Sequence, residues 1–177
     1  MSFIITPHLI LKRDDRILFL RRHINSDIFG GYWHLPTGYV EPNETPASAL
    51  IRETKEELGI ITTVHLETVI VAEVPDYRNP KEIYRDVCFF FSAVSYEGTI
   101  ENKESCFHSD LEWFNVNSLP DPIIPVVQFG LKCAEKKILY EHFNGTQNLL
   151  PKPKNTLGSA LHFSQNWGLS DQKNQKF

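Results

Sequence analysis

"TPASALIRETKEELGI", Thr45 to Ile60, decides how the rest of the chain is read. Thr45 followed by Pro46 reads as an N-cap with proline at the first helical position. Ala47, Leu50, Thr54 and Leu58 then recur at helical spacing, and Gly59 supplies a C-terminal stop. The pattern predicts a helix with one buried face. An adjacent face carries Glu53, Glu56 and Glu57, at i, i+3 and i+4 and so side by side. Each like-charge pair at that spacing costs an isolated helix roughly 0.2–0.5 kcal/mol. The glutamates also lie toward the helix C-terminus, where the macrodipole disfavours anions. Something has to compensate, or the face is only solvated. A hard divalent cation such as Mg²⁺ takes oxygen ligands, usually a few carboxylates with water and substrate phosphate. Three carboxylates on one face form half of such a site. Arg52, at i−4 from Glu56 and downstream of Glu44, is placed to pair locally or to clamp the preceding loop.

Upstream, Phe3 to Leu11 and Ile17 to Arg22 are β-rich runs around Arg13-Asp14-Asp15, which reads as a hairpin. A loop with Gly30 and Gly31 leads to a short extended piece at Tyr32 to Pro36, and Gly38 to Thr45 is loop. Downstream, Val64 to Val74 and Val87 to Val94 read as strands around a polar, turn-rich segment, and Leu111 to Val116 as a short strand. Pro125 opens a second helix, with Val127, Leu131, Ala134 and Ile138 as its apolar stripe. We expect this helix to run to Tyr140 and a domain over residues 1–140. After about Glu141 the periodicity fails, and residues 141–177 read as a tail in which Leu161, Phe163 and Trp167 are isolated apolar residues. Strands interspersed with two helices imply an α/β protein, a mixed β-sheet sandwiched by helices.

The 177 residues suit one domain with a real core, and 41% hydrophobic with 23% charged is ordinary for a globular chain. A net charge of -4 offers no global attraction to long nucleic acid or an anionic membrane. Cys88, Cys106 and Cys133 are odd in number and widely spaced, which reads as reduced thiols of a cytoplasmic protein. The N-terminal segment reads as a strand and not as a signal peptide, and no apolar run is long enough to span a membrane. No GxSxG nucleophile elbow and no P-loop occurs. The seven histidines show no clustered spacing and read as surface or core residues.

Gly38, five residues, Glu44, seven residues, then Arg52-Glu53-Thr54-Lys55-Glu56-Glu57-Leu58-Gly59-Ile60: this pattern resembles the Nudix box, G-x5-E-x7-R-E-U-x-E-E-x-G-U. Every fixed position matches. Thr54 stands where an aliphatic residue is usual, and its methyl can still pack. "WHLPTGYVE" before the box resembles the family's approach strand and loop, with Thr37 where a second glycine is common. The order of strands and "LEWFNVNSLP" extend the resemblance, less specifically, to residues 3–140, and the tail is not covered.

The resemblance implies the Nudix fold, an α/β/α sandwich with a mixed β-sheet. It implies hydrolysis of a diphosphate linked to another moiety, dependent on Mg²⁺ or Mn²⁺ and commonly acting on a nucleoside diphosphate derivative such as a (d)NTP. Glu53, Glu56 and Glu57, with Arg52 beside them, match the catalytic positions. The same glutamates and the Gly38 carbonyl are the implied metal ligands, and Glu44 and Arg52 brace the loop. Which glutamate activates water is left open. Arg22 resembles an arginine that contacts substrate phosphate in some members, and it shares a strand end with Arg21, which must point to the opposite face. Nudix enzymes often draw a further acid from the loop before a late strand. Glu104 is the expected one, with Glu101, Asp110 and Glu112 as competitors. Trp33, Tyr77, Tyr84 and Trp113 could stack a base or simply fill the core.

Two other classes share the fold. A non-catalytic Nudix-fold ligand sensor commonly loses box glutamates, and this chain keeps them all. An isoprenyl diphosphate isomerase would want its own acid and thiol residues around the site. The side chains that contact the substrate come from variable loops outside the box, so a damaged nucleoside triphosphate, a nucleotide sugar and a dinucleoside polyphosphate all stay open. The expected partner is a small nucleotide-like diphosphate, on a monomer or homodimer.

Overall fold

The helix expected after Thr45 forms as α1, Pro46–Leu58. Thr45 Oγ1 accepts the Ser48 N–H at 3.1 Å, and Ser48 Oγ accepts the Thr45 N–H at 2.9 Å, so two orphan donors are satisfied reciprocally. Gly59 ends the helix in the left-handed region, at φ 74°, with its N–H on the Lys55 carbonyl. The computed structural model describes residues 3–75 and 83–145. Before α1 come β1 (Phe3–Ile10), β2 (Lys12–Arg13), β3 (Arg16–Arg22) and β4 (Trp33–His34); after it come β5 (Ile60–Pro75), β6 (Ile83–Gly98), β7 (His108–Asn115), α2 (Pro125–Glu135) and β8 (Tyr140–Asn144).

One sheet has the order β1-β6-β5-β8 and is mixed, as expected: β1–β6 and β5–β8 are parallel, and β5–β6 is antiparallel. Side chains alternate across it. Leu9, Leu11, Ile60 and Phe91 bury against Leu50 and Leu58 of α1. Ile10, Ile70, Ala72 and Phe90 bury on the other face against Val127 and Leu131 of α2. This is the α/β/α sandwich. A second, antiparallel sheet joins β3 to β2, β4 and β7. Ile17 and Phe19 of β3 feed the α2-side core, and Leu18 and Leu20 feed the α1-side core.

Three expectations need correction. Phe3–Leu11 is not an arm of a hairpin with Ile17–Arg22: β1 lies beside β6, and only Lys12–Arg13 pairs with β3 across the Asp14-Asp15 turn. The apolar run gives no warning, because Leu11 belongs to the core after β1 has ended. The late strand starts at His108, before Leu111, and so reaches the functional site. The second helix stops at Glu135, beyond which Lys137 turns at φ 57°. Ile138 keeps its apolar contact outside the helix, and Tyr140–Asn144 becomes β8 with Phe143 buried. Tyr77, Leu161, Phe163 and Trp167 lie outside the described residues.

Residues 36–40 run along the open edge of β1. The Leu9 N–H donates to the Pro36 carbonyl at 2.9 Å, and the Val40 N–H to the Ile5 carbonyl at 3.2 Å. Thr37 Oγ1 donates to the Pro7 carbonyl at 2.8 Å. The loop that carries Gly38 is thus pinned beside the glutamate face of α1.

Candidate active site

Arg52 ties the loop to the helix. Its Nε donates to Glu44 Oε1 at 2.9 Å and its Nη2 to Glu44 Oε2 at 3.0 Å, a bidentate fork that lysine could not make. Nη2 also reaches the Tyr39 carbonyl at 3.0 Å. Nη1 donates to Glu53 Oε1 at 2.8 Å and to Glu56 Oε2 at 3.3 Å. The bracing geometry expected of Glu44 and Arg52 is present, and one cation offsets part of the carboxylate repulsion. The hydrogen bond from Arg52 holds the Glu44 carboxyl below its ordinary value and keeps the guanidinium charged.

The three box glutamates are not equally placed. Glu56 is exposed, Glu53 is half-buried, and Glu57 is only 3% exposed. Glu53 lies directly on Gly38: a Cβ there would sit 1.9 Å from the Glu53 carboxyl carbon. That close approach, and no backbone strain, is why the position requires glycine. Glu57 Oε2 accepts the Thr37 N–H at 3.0 Å, so the backbone around Gly38 is attached to two glutamates.

Glu104 joins them. The Lys103 N–H donates to the Glu57 carbonyl at 2.9 Å, and the Glu101 N–H to the Leu58 carbonyl at 3.0 Å, so the C-terminal turn of α1 anchors the loop. Of the competing acids, Glu101 pairs with Lys103 at 2.5 Å, Asp110 pairs with Arg21 at 3.7 Å, and Glu112 is exposed on β7. Ligand atoms of Glu57, Glu104 and His108 all fall within 4.8 Å of one another. His108 is the residue that sequence reasoning missed. The sequence signal was its place four residues after Glu104, ahead of the late strand.

His108 and Glu57 approach at 3.6 Å, Nε2 to Oε1. The contact is not an ion pair at neutral pH, because burial disfavours the charged form of each partner. Burial raises the Glu57 carboxyl well above its ordinary value, and Glu53 and Glu104 add to this against the Thr37 hydrogen bond. Burial, then Arg22, lowers His108 to about 4. Burial raises Glu104 as well, with Glu53 and Glu56 contributing.

Arg22 is brought to this side. It pairs with His108 across β3 and β7 beyond a register shift at Arg21/Arg22, and its charge acts on both His108 and Glu57. Its Nε is buried and without a hydrogen-bond partner. Arg21 faces away, donating to the Gly31 carbonyl at 3.1 Å and lying over Trp33. Of the candidate aromatics, Trp33 packs into the core edge-on to Phe114, and Trp113 lies under Arg13.

A divalent cation fits this donor set. Carboxylates crowd around the buried Glu57, a glycine makes room for Glu53, and among the described residues the His108 imidazole has no hydrogen-bond partner. Glu53, Glu56, Glu57 and Glu104, with the loop at Gly38, are the residues that would hold it.

The family model described as NUDIX domain matches residues 4–132. An ADP-ribose pyrophosphatase of Methanocaldococcus jannaschii is 32% identical over 111 residues, 63% of this chain and 61% of that protein. A CTP pyrophosphohydrolase of Escherichia coli is 44% identical over 64 residues, 36% of this chain and 47% of that protein. An 8-oxo-dGTP diphosphatase of Proteus vulgaris is 36% identical over 73 residues, 41% of this chain and 64% of that protein. The matches span from about half to just under two thirds of these relatives' lengths. Among solved structures, a MutT NUDIX hydrolase of Burkholderia pseudomallei superposes with a TM-score of 0.62 at 27% identity, covering 75% of this chain and 98% of that one. A mutator MutT protein of Bacillus halodurans shares the fold, with a TM-score of 0.67 at 22% identity over 83% of this chain and 93% of that one. With the family model matching most of the chain and the box residues gathered around Gly38, the protein belongs to the Nudix family.

Proposed function

We propose that this chain is a divalent-metal-dependent pyrophosphohydrolase that cleaves a phosphoanhydride bond in a nucleoside diphosphate derivative, a (d)NTP being one candidate. The observation that carries the reading is the gathering of Glu53, Glu56, Glu57 and Glu104, with Glu53 and Glu57 set against the Thr37–Gly38 loop and Arg52 fixing two of the four. When bound, Mg²⁺ or Mn²⁺ would neutralise charge on the flanking phosphates and lower the pKa of a coordinated water.

The protein's own part is positioning. Arg52 engages Glu53 Oε1 and Glu56 Oε2, so each glutamate keeps its second oxygen for a cation or for the proton of the attacking water. Thr37 and the β1 edge fix the loop, and with it the Gly38 carbonyl. Arg22 supplies positive charge on the substrate side, suited to a phosphate oxygen. Water's oxygen ends on one phosphorus, the bridging oxygen leaves with the other, and the released proton goes to a carboxylate. We also assign the protein to the cytoplasm, in line with the free thiols of Cys88, Cys106 and Cys133.

The test is product release from ADP-ribose, 8-oxo-dGTP and CTP, each with Mg²⁺, with Mn²⁺ and with EDTA. Turnover that EDTA abolishes, with ¹⁸O from water in one product phosphate, supports the reading. Tight nucleotide binding without turnover would instead identify a ligand sensor.

A further inference from the structure

We propose that His108 is a nitrogen ligand of the cation site. Glu57, Glu104 and His108 would then form a mixed oxygen and nitrogen centre that discriminates for a later transition-metal dication such as Co²⁺ and against Mg²⁺. The inference rests on reading the carboxylate cluster as a divalent-cation site, and it adds a donor that the glutamate pattern does not contain.

Three observations carry it. The ligand atoms of the three residues lie within 4.8 Å of one another, a span that one ion can bridge. His108 is 6% exposed, and among the described residues its ring nitrogen Nε2 has no hydrogen bond: it stands 3.6 Å from Glu57 Oε1, too far for one. The nitrogen that faces the carboxylates is therefore free to ligate an ion. The third observation is that all three residues are pinned by the same backbone. The Lys103 N–H holds the Glu57 carbonyl, the His108 N–H holds the Glu104 carbonyl at 3.0 Å, and Asn102 Nδ2 holds the His108 carbonyl at 2.8 Å. The backbones that carry Glu57 on α1, Glu104 in the loop and His108 at the start of β7 are therefore tied to one another.

The chemistry sets the selectivity. Mg²⁺ takes oxygen ligands and gains little from imidazole, whereas Co²⁺ and the later first-row dications bind nitrogen well. An all-carboxylate site and one with an imidazole therefore differ in the ratio of Co²⁺ to Mg²⁺ affinity.

The probes are Co²⁺ and Mg²⁺ alone, titrated into the full chain without nucleotide and followed by calorimetry. For His108→Asn we expect the Co²⁺-to-Mg²⁺ affinity ratio to fall about tenfold while Mg²⁺ affinity changes less than about threefold. An unchanged ratio overturns the proposal. Should His108→Asn fail to fold, the wild type decides. Stoichiometric Co²⁺ must shift one imidazole proton resonance outside the diamagnetic range, and binding with no shifted imidazole signal rejects the nitrogen ligand. The two readings fail separately. Turnover with an oxygen-only Co²⁺ centre removes this inference alone. A contact-shifted imidazole with no turnover on any diphosphate removes the hydrolase reading alone.

Discussion

Glu57 concentrates the conflict between stability and the proposed function in one side chain. Its carboxyl is buried beside two other acids, an arrangement that disfavours charge in the absence of a cation. Glu57→Gln keeps the shape, retains an acceptor for the Thr37 N–H and removes the charge. We expect turnover to fall about 10²–10³-fold, the equivalent of several kcal/mol of electrostatic stabilisation, with the thermal midpoint unchanged or raised. Near-normal kinetics at saturating Mg²⁺ would remove Glu57 from the site. Gly38 tests the neighbour. In Gly38→Ala the new methyl takes the volume of the Glu53 carboxyl. That carboxyl is the end of a flexible side chain, so the fold adapts and the glutamate is displaced. Divalent-ion affinity should drop measurably in calorimetry while stability changes by less than about 1 kcal/mol, a shift of a few degrees in midpoint. A variant that binds the ion normally would show that Glu53 is not held by this contact. The box residues were legible in the sequence because spacing on a capped helix fixes which carboxylates share a face. Their unequal burial was not, because it depends on the β1 edge and on a loop some 45 residues later in the chain. His108 was hidden for the same reason: a strand residue is paired with its partner by sheet register, which the local sequence does not encode.

The two helices do different work although both begin with proline. α1 carries its own start and stop signals, a capping box and a left-handed glycine, and both could be read directly. α2 has no side-chain cap and depends on packing. Gly130 marks the tightest contact, where a Cβ would come within 2.2 Å of the fully buried Phe90 ring. Gly130→Ala should therefore destabilise the fold by about 1–3 kcal/mol, the usual cost of overpacking, despite alanine's better helix propensity. Because α2 lies across the sheet from the glutamates, ion affinity measured below the melting transition should be retained. A more stable variant would mean that α2 can slide on β6. The end of α2 and the five-residue strand β8 escaped the sequence reading for a physical reason. A short parallel strand draws its hydrogen bonds from a partner far away in the chain, here β5, so its own pattern is too brief to announce it. The break between β1 and β2 was invisible because the apolar run continues into Leu11 while the backbone changes sheets.

At the scale of the whole molecule, pH and chain length probe how the core is closed. Thr6 Oγ1 donates to Asp86 Oδ1 at 2.8 Å and lies 3.3 Å from His8 Nε2, so a buried histidine and a half-buried aspartate share one hydroxyl in the mixed sheet. Burial lowers His8 from 6.5 to about 3 and raises Asp86 from 3.8 to about 6. The signs oppose. The His8 contribution to stability is complete above its ordinary value and is lost as pH falls from 6.5 toward 3. The Asp86 contribution is complete below 3.8 and is lost as pH rises toward 6. In urea unfolding across this range, Asp86→Asn should gain on the wild type as pH rises, and His8→Phe should gain as pH falls. The reverse order would show that these groups titrate alike in the folded and unfolded chain. Chain length asks where the folding unit ends. The apolar pattern alone ends the second helix at Tyr140, but Phe143 is 3% exposed in the α2-side core, and β8 covers the edge of β5. Losing one buried phenylalanine costs about 3–5 kcal/mol, a large share of the 5–15 kcal/mol that typically holds a domain together. Removing β8 would also leave the β5 edge unpaired, open to association with another chain. We therefore expect a chain ending after Gly145 to melt cooperatively and to bind divalent ions like the full-length protein. One ending after Leu139 should lose the cooperative transition or aggregate. A Leu139-terminated chain with the full-length midpoint would show that β8 only decorates the fold. A Gly145-terminated chain that fails to fold would show that residues 146–177 belong to the folding unit.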